Sequence, residues 1–135
     1  MTTWDSFQYF APAEFDSPDA PGSGIEMDLD LIDILDKARA IAGVPFRISD
    51  GGGYRTAQYN QDLLLRNPNA SPRSLHLQGM AADIAVPRGD NRTRAIMISA
   101  LMDAGIQRLG LAQTFIHVDI GGPDTGRRTP SVWIY

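Results

Sequence analysis

Hydrophobic positions recur at helical spacing early in the chain and at alternating spacing later. Leu31, Leu35, Ala38 and Ala42 fall at i, i+4, i+7 and i+11, which predicts a helix over 28–42. Asp28 suits its N-cap, Asp30 and Asp33 favour the positive end of its dipole, and Gly43 followed by Pro45 stops it. Val44, Phe46 and Ile48 alternate with polar or small residues, predicting a strand over 44–49, and the Asp50–Gly53 run reads as a loop of unusual backbone freedom. A second helix is predicted over 56–66, with Tyr59, Leu63 and Arg66 along one side, ending before Asn67-Pro68; residues 67–75 are loop. Met80, Ala82, Ile84 and Val86 alternate with Ala81, Asp83 and Ala85, a strand over 80–86. A third helix is predicted over 91–104, capped by Asp90 and closed by Gly105. Residues 106–135 read as short strands broken by the Gly121–Pro130 loop, whereas 11–24, rich in Pro, Gly, Ser and Asp, read as an irregular surface segment. This order predicts an α+β fold, a small antiparallel sheet with helices packed against it.

Composition narrows the picture. A chain of 135 residues has room for one domain, expected over 1–135 with residues 1–26 as an irregular acidic lead-in. The absence of cysteine excludes a disulfide framework, a thiolate metal site and a cysteine nucleophile together. No run approaches the roughly 18 apolar residues of a membrane span. Net charge is -4, yet residues 1–36 hold nine acids and no Lys or Arg, so the remainder is basic. That asymmetry either favours an anionic polymer on one face or marks a solvated acidic segment. No nucleic-acid motif is present, so nucleic acid is not an expected partner, and the protein is expected to be a monomer.

Chemistry concentrates in two places. Ser74-Leu-His76-Leu-Gln-Gly79-Met-Ala81-Ala-Asp83 puts an imidazole at the mouth of a strand and a carboxylate inside it, with Gly79 free to turn the backbone between them. In Phe115-Ile-His117-Val-Asp119-Ile, odd residues share a face, so His117 and Asp119 project together with α-carbons roughly 6.6–6.8 Å apart. Two histidines and a carboxylate form the donor set expected of catalytic zinc. The plainer alternative is that each histidine is a lone residue satisfied by hydrogen bonds.

The ten-residue segment from Ser74 to Asp83 resembles the S-x-H-x-x-G-x-A-x-D signature of zinc D-Ala-D-Ala carboxypeptidases and their peptidoglycan-cleaving relatives, which share the hedgehog/DD-peptidase fold. Gly53-Tyr54-Arg55-Thr56 with Tyr59-Asn60 resembles that family's S-G-Y-R-x-x-x-x-N segment, and His117-Val-Asp119 resembles the H-V-D of its short members. Tyr9-Phe10 and Glu14-Phe15 resemble the lead-in of the short forms. The resemblance implies that His76, Asp83 and His117 bind Zn2+, that Arg55 meets a substrate carboxylate or steadies the scissile carbonyl, and that Ser74 contacts the peptide or caps the loop before His76.

Two departures stand out. Longer relatives carry an acidic base three residues before the last zinc histidine, where this chain has Thr114. Asp119 is therefore the candidate base for the attacking water, with orientation of a ligand histidine as its competing role. The Asp50–Gly53 run is also richer in glycine than the usual Ser-Gly, which is expected to loosen the loop holding Arg55. Trp133 and Tyr135 are expected either to wall the cleft or to pack in the core. The function expected is a zinc metallopeptidase hydrolysing amide bonds in peptidoglycan stem peptides, of carboxypeptidase or endopeptidase type. The alternatives are an inactive zinc-stabilised wall-binding module of the same fold and a virion- or secretion-associated structural protein. The opening Met1-Thr-Thr-Trp-Asp-Ser-Phe lacks the basic region and apolar run of a signal peptide. Synthesis in the cytoplasm, release by lysis or an assisting system, and a phage or prophage origin are expected.

Overall fold

The computed structural model describes residues 2–68 and 70–135, so Met1 of the lead-in and Asn69 of the 67–75 loop lie outside the described residues. The elements follow in the order α1 (Leu29–Ala42), α2 (Ala57–Arg66), β1 (Ala81–Ala85), α3 (Asn91–Asp103), β2 (Arg108–Leu111), β3 (Phe115–Asp119) and β4 (Ser131–Ile134). The helices start where capping chemistry dictates. The side chains of Asp28, Thr56 and Asp90 accept hydrogen bonds from the backbone N–H groups of Asp30, Tyr59 and Thr93. Gly43, at φ 69°, closes α1.

The sheet has strand order β1-β3-β2-β4. β3 runs antiparallel to both β1 and β2, but β4 pairs parallel with β2, so the sheet is mixed rather than purely antiparallel. The loop after β3 passes beyond β2 before the chain re-enters the sheet. A strand that starts where β3 ends and lies on the far side of β2 must share the direction of β2.

Period-two alternation divides the sheet's faces. Ala82, Ile84, Leu109, Ile116 and Val118 join Leu31, Ile32 and Leu35 of α1 and Met97 and Leu101 of α3 in one buried core. The opposite set, Asp83, Arg108, Gly110, His117, Asp119 and Trp133, is left for the other face. Register places Asp83 directly across from His117, Gly110 across from His117 and from Trp133, and Arg108 across from Asp119.

Two expectations need correction. Residues 44–49 do not form a strand: Phe46 and Ile48 are buried as their alternation implies, but only Ile48 makes a bridge, to Ile84. The segment instead lays carbonyls and amides of Arg47, Ser49 and Gly52 along the outer edge of β1, bonding Ala85 and Asp83, and turns away before a ladder can extend. The lead-in is not merely laid on the surface either. Phe15, at the end of a short 3₁₀ turn (Pro12–Phe15), and Phe10, just before it, enter the core, Phe15 with no exposure, and the Phe15 carbonyl accepts the Tyr54 N–H at 2.8 Å. The lead-in thereby fixes the turn that presents Arg55. Among the described residues no helix is long and apolar enough to cross a membrane.

Candidate metal centre

His76 lies in a 3₁₀ turn, Leu75–Gln78, immediately before β1. The Ser74 hydroxyl accepts the His76 N–H at 3.2 Å, and Gly79, at φ 69°, reverses the chain into the strand. The turn is tied to the arginine loop, because the His76 carbonyl accepts the Arg55 N–H. His76 Nδ1–H donates to the Gly53 carbonyl at 2.8 Å, which leaves Nε2 facing Asp83 Oδ1 at 3.4 Å. Gly51, Gly52 and Gly53 are buried, so the glycine run is packed rather than loose.

His117 enters from the neighbouring strand. Its Nδ1 lies 2.9 Å from Asp83 Oδ1, and its Nε2 lies 2.8 Å from Asp119 Oδ2 on the opposite edge of the ring. One donor atom each from His76, Asp83 and His117 can be chosen within 4.8 Å of one another. A tetrahedral zinc with bonds of about 2.0–2.2 Å needs its donors roughly 3.3–3.6 Å apart, which small side-chain shifts reach from the separations present, so the residues fit that ion. Three protein donors are the complement of catalytic rather than structural zinc. Both imidazoles have their other nitrogen held by a carbonyl or carboxylate, the outer support that orients metal-binding histidines.

Electrostatics follow from this crowding. Burial depresses the His76 imidazole, which Asp83 offsets only in part, so it stays neutral more readily than an ordinary histidine. Burial also works against charge on His117, but the hydrogen bonds and charges of Asp119 and Asp83 outweigh it and raise its pKa to about 9. For Asp83, burial opposes ionisation, yet the two histidines hold the carboxyl well below the usual range. Asp119 is likewise lowered, against its burial, by His117 and Arg108.

These groups sit in a cleft of about 350 Å³, lined also by Arg55, Ser74, Arg108, Arg127, Trp133 and Tyr135. Arg55 Nε donates to the Gly51 carbonyl at 2.8 Å and Nη2 reaches Asp83 Oδ2 at 3.4 Å, so its guanidinium lies beside the donor set. Ser74 both caps the turn and lines the cleft. Trp133 faces His117 with ring centroids 5.5 Å apart, and Tyr135 packs on Phe115, so both wall the cleft rather than the core. Thr114 is remote: it lines a separate cavity beside Val44, Arg47 and Met97.

Asp119 does not stand open to the cleft as a free carboxylate. Its Oδ1 accepts from Arg108 Nε at 2.6 Å and from the Gly121 N–H at 3.0 Å, while Oδ2 accepts from His117. Sequence reasoning missed Arg108, which stacks over Trp133 at 4.8 Å, and Arg127. Only the β2–β3 register, pairing Arg108 with Asp119, could have pointed to the first. It also missed Gly110, where a Cβ would lie 2.6 Å from Trp133 Nε1 and 2.8 Å from Tyr135 Cε2. Gly110→Ala is therefore expected to push both rings off the cleft wall and to lower stability by about 1–3 kcal/mol, as overpacking does. Denaturant unfolding checks this, and an unchanged midpoint would show that the wall yields freely.

Comparison with known proteins bears on the same residues. No curated protein sequence matches the chain. Among solved structures, the L-Ala D-Glu endopeptidase ChiX of Serratia marcescens superposes with a TM-score of 0.57 at 19% identity, over 76% of this chain and 86% of that one. At that identity the likeness is one of fold, and the fold is the α+β arrangement described above. Residues 9–119 match the family model of peptidase M15, a span that includes the lead-in, Arg55 and all three candidate metal ligands. The chain belongs to the peptidase M15 family.

Proposed function

We propose that this protein is a zinc-dependent peptidase that hydrolyses amide bonds in peptidoglycan stem peptides. The observation that carries the reading is the convergence of His76 Nε2, Asp83 and His117 Nδ1, with the Arg55 guanidinium beside them, in one cleft of an M15 chain. ChiX, the structural neighbour, is an L-Ala D-Glu endopeptidase, which supports a wall peptide as substrate.

His76, Asp83 and His117 would hold the ion. Zinc bound there supplies a Lewis acid for the scissile carbonyl and lowers the pKa of water. The rest falls to the chain's own groups. Gly53 and Asp119 fix the ring orientations of the two histidines through Nδ1–H and Nε2–H. Arg55, already aimed at the donor set, stabilises negative charge that develops on the carbonyl oxygen. Ser74 and the Trp133 and Tyr135 rings flank the peptide.

Between the two roles expected for Asp119, the geometry supports positioning of His117. Both of its oxygens are engaged, and it sits at the imidazole nitrogen that faces away from Asp83. Asp119→Asn is expected to weaken zinc affinity roughly 10–100-fold while leaving turnover of the zinc-saturated enzyme near normal. Retained affinity with turnover cut by about 10²–10⁴ would instead make Asp119 the base. A zinc titration and a rate assay on the same preparation decide.

The rival reading, an inactive zinc-stabilised wall-binding module, draws on the cleft itself, which offers no carboxylate besides Asp83 and Asp119 among its described lining residues. Digestion of purified sacculi separates the two. Release of new amino groups that stops with chelator and returns with zinc is expected. Sacculi bound but left intact by the zinc-loaded protein would favour the module.

A further inference from the structure

Three arginines line the cleft, and two of them have acidic partners. Arg55 pairs with Asp83, and Arg108 pairs with Asp119 while also donating to the Arg128 carbonyl. Arg127 differs. Its Nη1 donates to the Thr125 carbonyl and its Nη2 to the Arg73 carbonyl, and among the described residues it has no ion-pair partner. Two of the five N–H groups of a guanidinium are thus satisfied and three remain, with no carboxylate in ion-pair contact among the described residues.

Its position gives that charge meaning. A Cβ built at Gly121 would meet Arg127 Cγ at 3.2 Å and Asp119 Oδ1 at 3.1 Å, so the arginine stem packs beside the carboxylate that holds His117. Its far end reaches Arg73, three residues before His76. The guanidinium therefore ties the loop after β3 to the segment just before His76, on the lining of the cleft a substrate must enter. Arg73 and Arg128, whose carbonyls accept from Arg127 and Arg108, are exposed, in a protein whose net charge is -4. A half-buried, uncompensated fork of donors is built for a planar anion, which it can meet with two parallel hydrogen bonds.

We propose that Arg127 is a specificity-determining residue that receives a free carboxylate of the peptide substrate, borne by a residue flanking the scissile amide. This rests on the peptidase reading of the same cleft. In a stem peptide the carboxylate has two sources, the α-carboxylate of a γ-linked D-glutamate or the C-terminal carboxylate of D-alanine. Each becomes a neutral isostere on amidation.

The test uses zinc-loaded protein and three uncleavable stem-peptide analogues: both carboxylates free, the glutamate α-carboxamide, and the terminal carboxamide. Wild type is expected to bind the free acid about 10- to 100-fold more tightly than one of the amides, the range for a hydrogen-bonded charge, and the weaker amide identifies the source. Arg127→Gln is expected to abolish that preference while leaving affinity for the weaker amide nearly unchanged. Arg128→Gln, which removes the same charge one residue away, is expected to preserve it. The proposal is overturned if wild type shows no preference for either carboxylate or if the preference survives in Arg127→Gln. It is equally overturned if Arg127→Gln weakens acid and amide alike, which would make the residue only a tie between loops. Hydrolysis of the cleavable peptides is followed in parallel. Its failure would sink the peptidase reading, while the binding ratios still decide the role of Arg127.

Discussion

His76→Ala and His117→Ala are each expected to lose stoichiometric zinc after dialysis and, with it, all measurable hydrolysis. The site has three protein donors, so removing one leaves a two-donor site. Loss of an outer hydrogen bond to a ligand typically weakens metal affinity by about 10–100-fold, and loss of the ligand itself must exceed that. The two variants are not equivalent in the metal-free fold. His117 lies between two carboxylates that raise its pKa to about 9, so its removal leaves Asp83 and Asp119 without the imidazole they share. His76→Ala removes a buried, mostly neutral ring that is tethered to Gly53, so its effect is confined more nearly to the metal. A variant that still carried one zinc per chain would remove that residue from the ligand set.

Arg55→Ala is expected to lower turnover of the zinc-saturated enzyme by about 10²–10³, the usual consequence of removing one donor to a developing oxyanion. Arg55→Lys should not restore it. The guanidinium uses Nε to grip the Gly51 carbonyl while Nη2 is directed at Asp83, a division of labour that needs a planar fork and that a single ammonium cannot reproduce. Zinc content, measured alongside, separates this effect from loss of metal. Full activity in the lysine variant would mean that a diffuse positive charge suffices at this position.

Much of this arrangement was legible because it is local. The caps of α1 and α3, the alternation of β1 and β3, and the shared face of His117 and Asp119 all depend on neighbours a few residues away, where spacing and backbone stereochemistry rule. The failures depend on distant partners. Phe10 and Phe15 lie in a stretch without periodicity, and nothing local shows that a core waits for them. The alternation at Phe46 and Ile48 records burial correctly, but a ladder needs a straight partner edge, and this segment turns away at Asp50. The direction of β4 was set by which side of β2 the Gly121–Pro130 loop delivers it to. Within the site, the ligand residues stood out by type and spacing, whereas Arg108, Gly110 and Arg127 acquire their roles only through strand register and loop closure. The glycine run before Tyr54 misled for the same reason: freedom in an isolated chain becomes close packing once Phe15 and His76 press against it.

The central claim is that His76, Asp83 and His117 form one zinc centre, and anomalous diffraction at the zinc edge from crystals of the zinc-loaded protein tests it most directly. The expected result is a single strong peak about 2.0–2.2 Å from His76 Nε2, an Asp83 oxygen and His117 Nδ1, with His117 Nε2 still bonded to Asp119. A peak placed elsewhere, or ligation of His117 through Nε2 with Asp119 swung away, would contradict it.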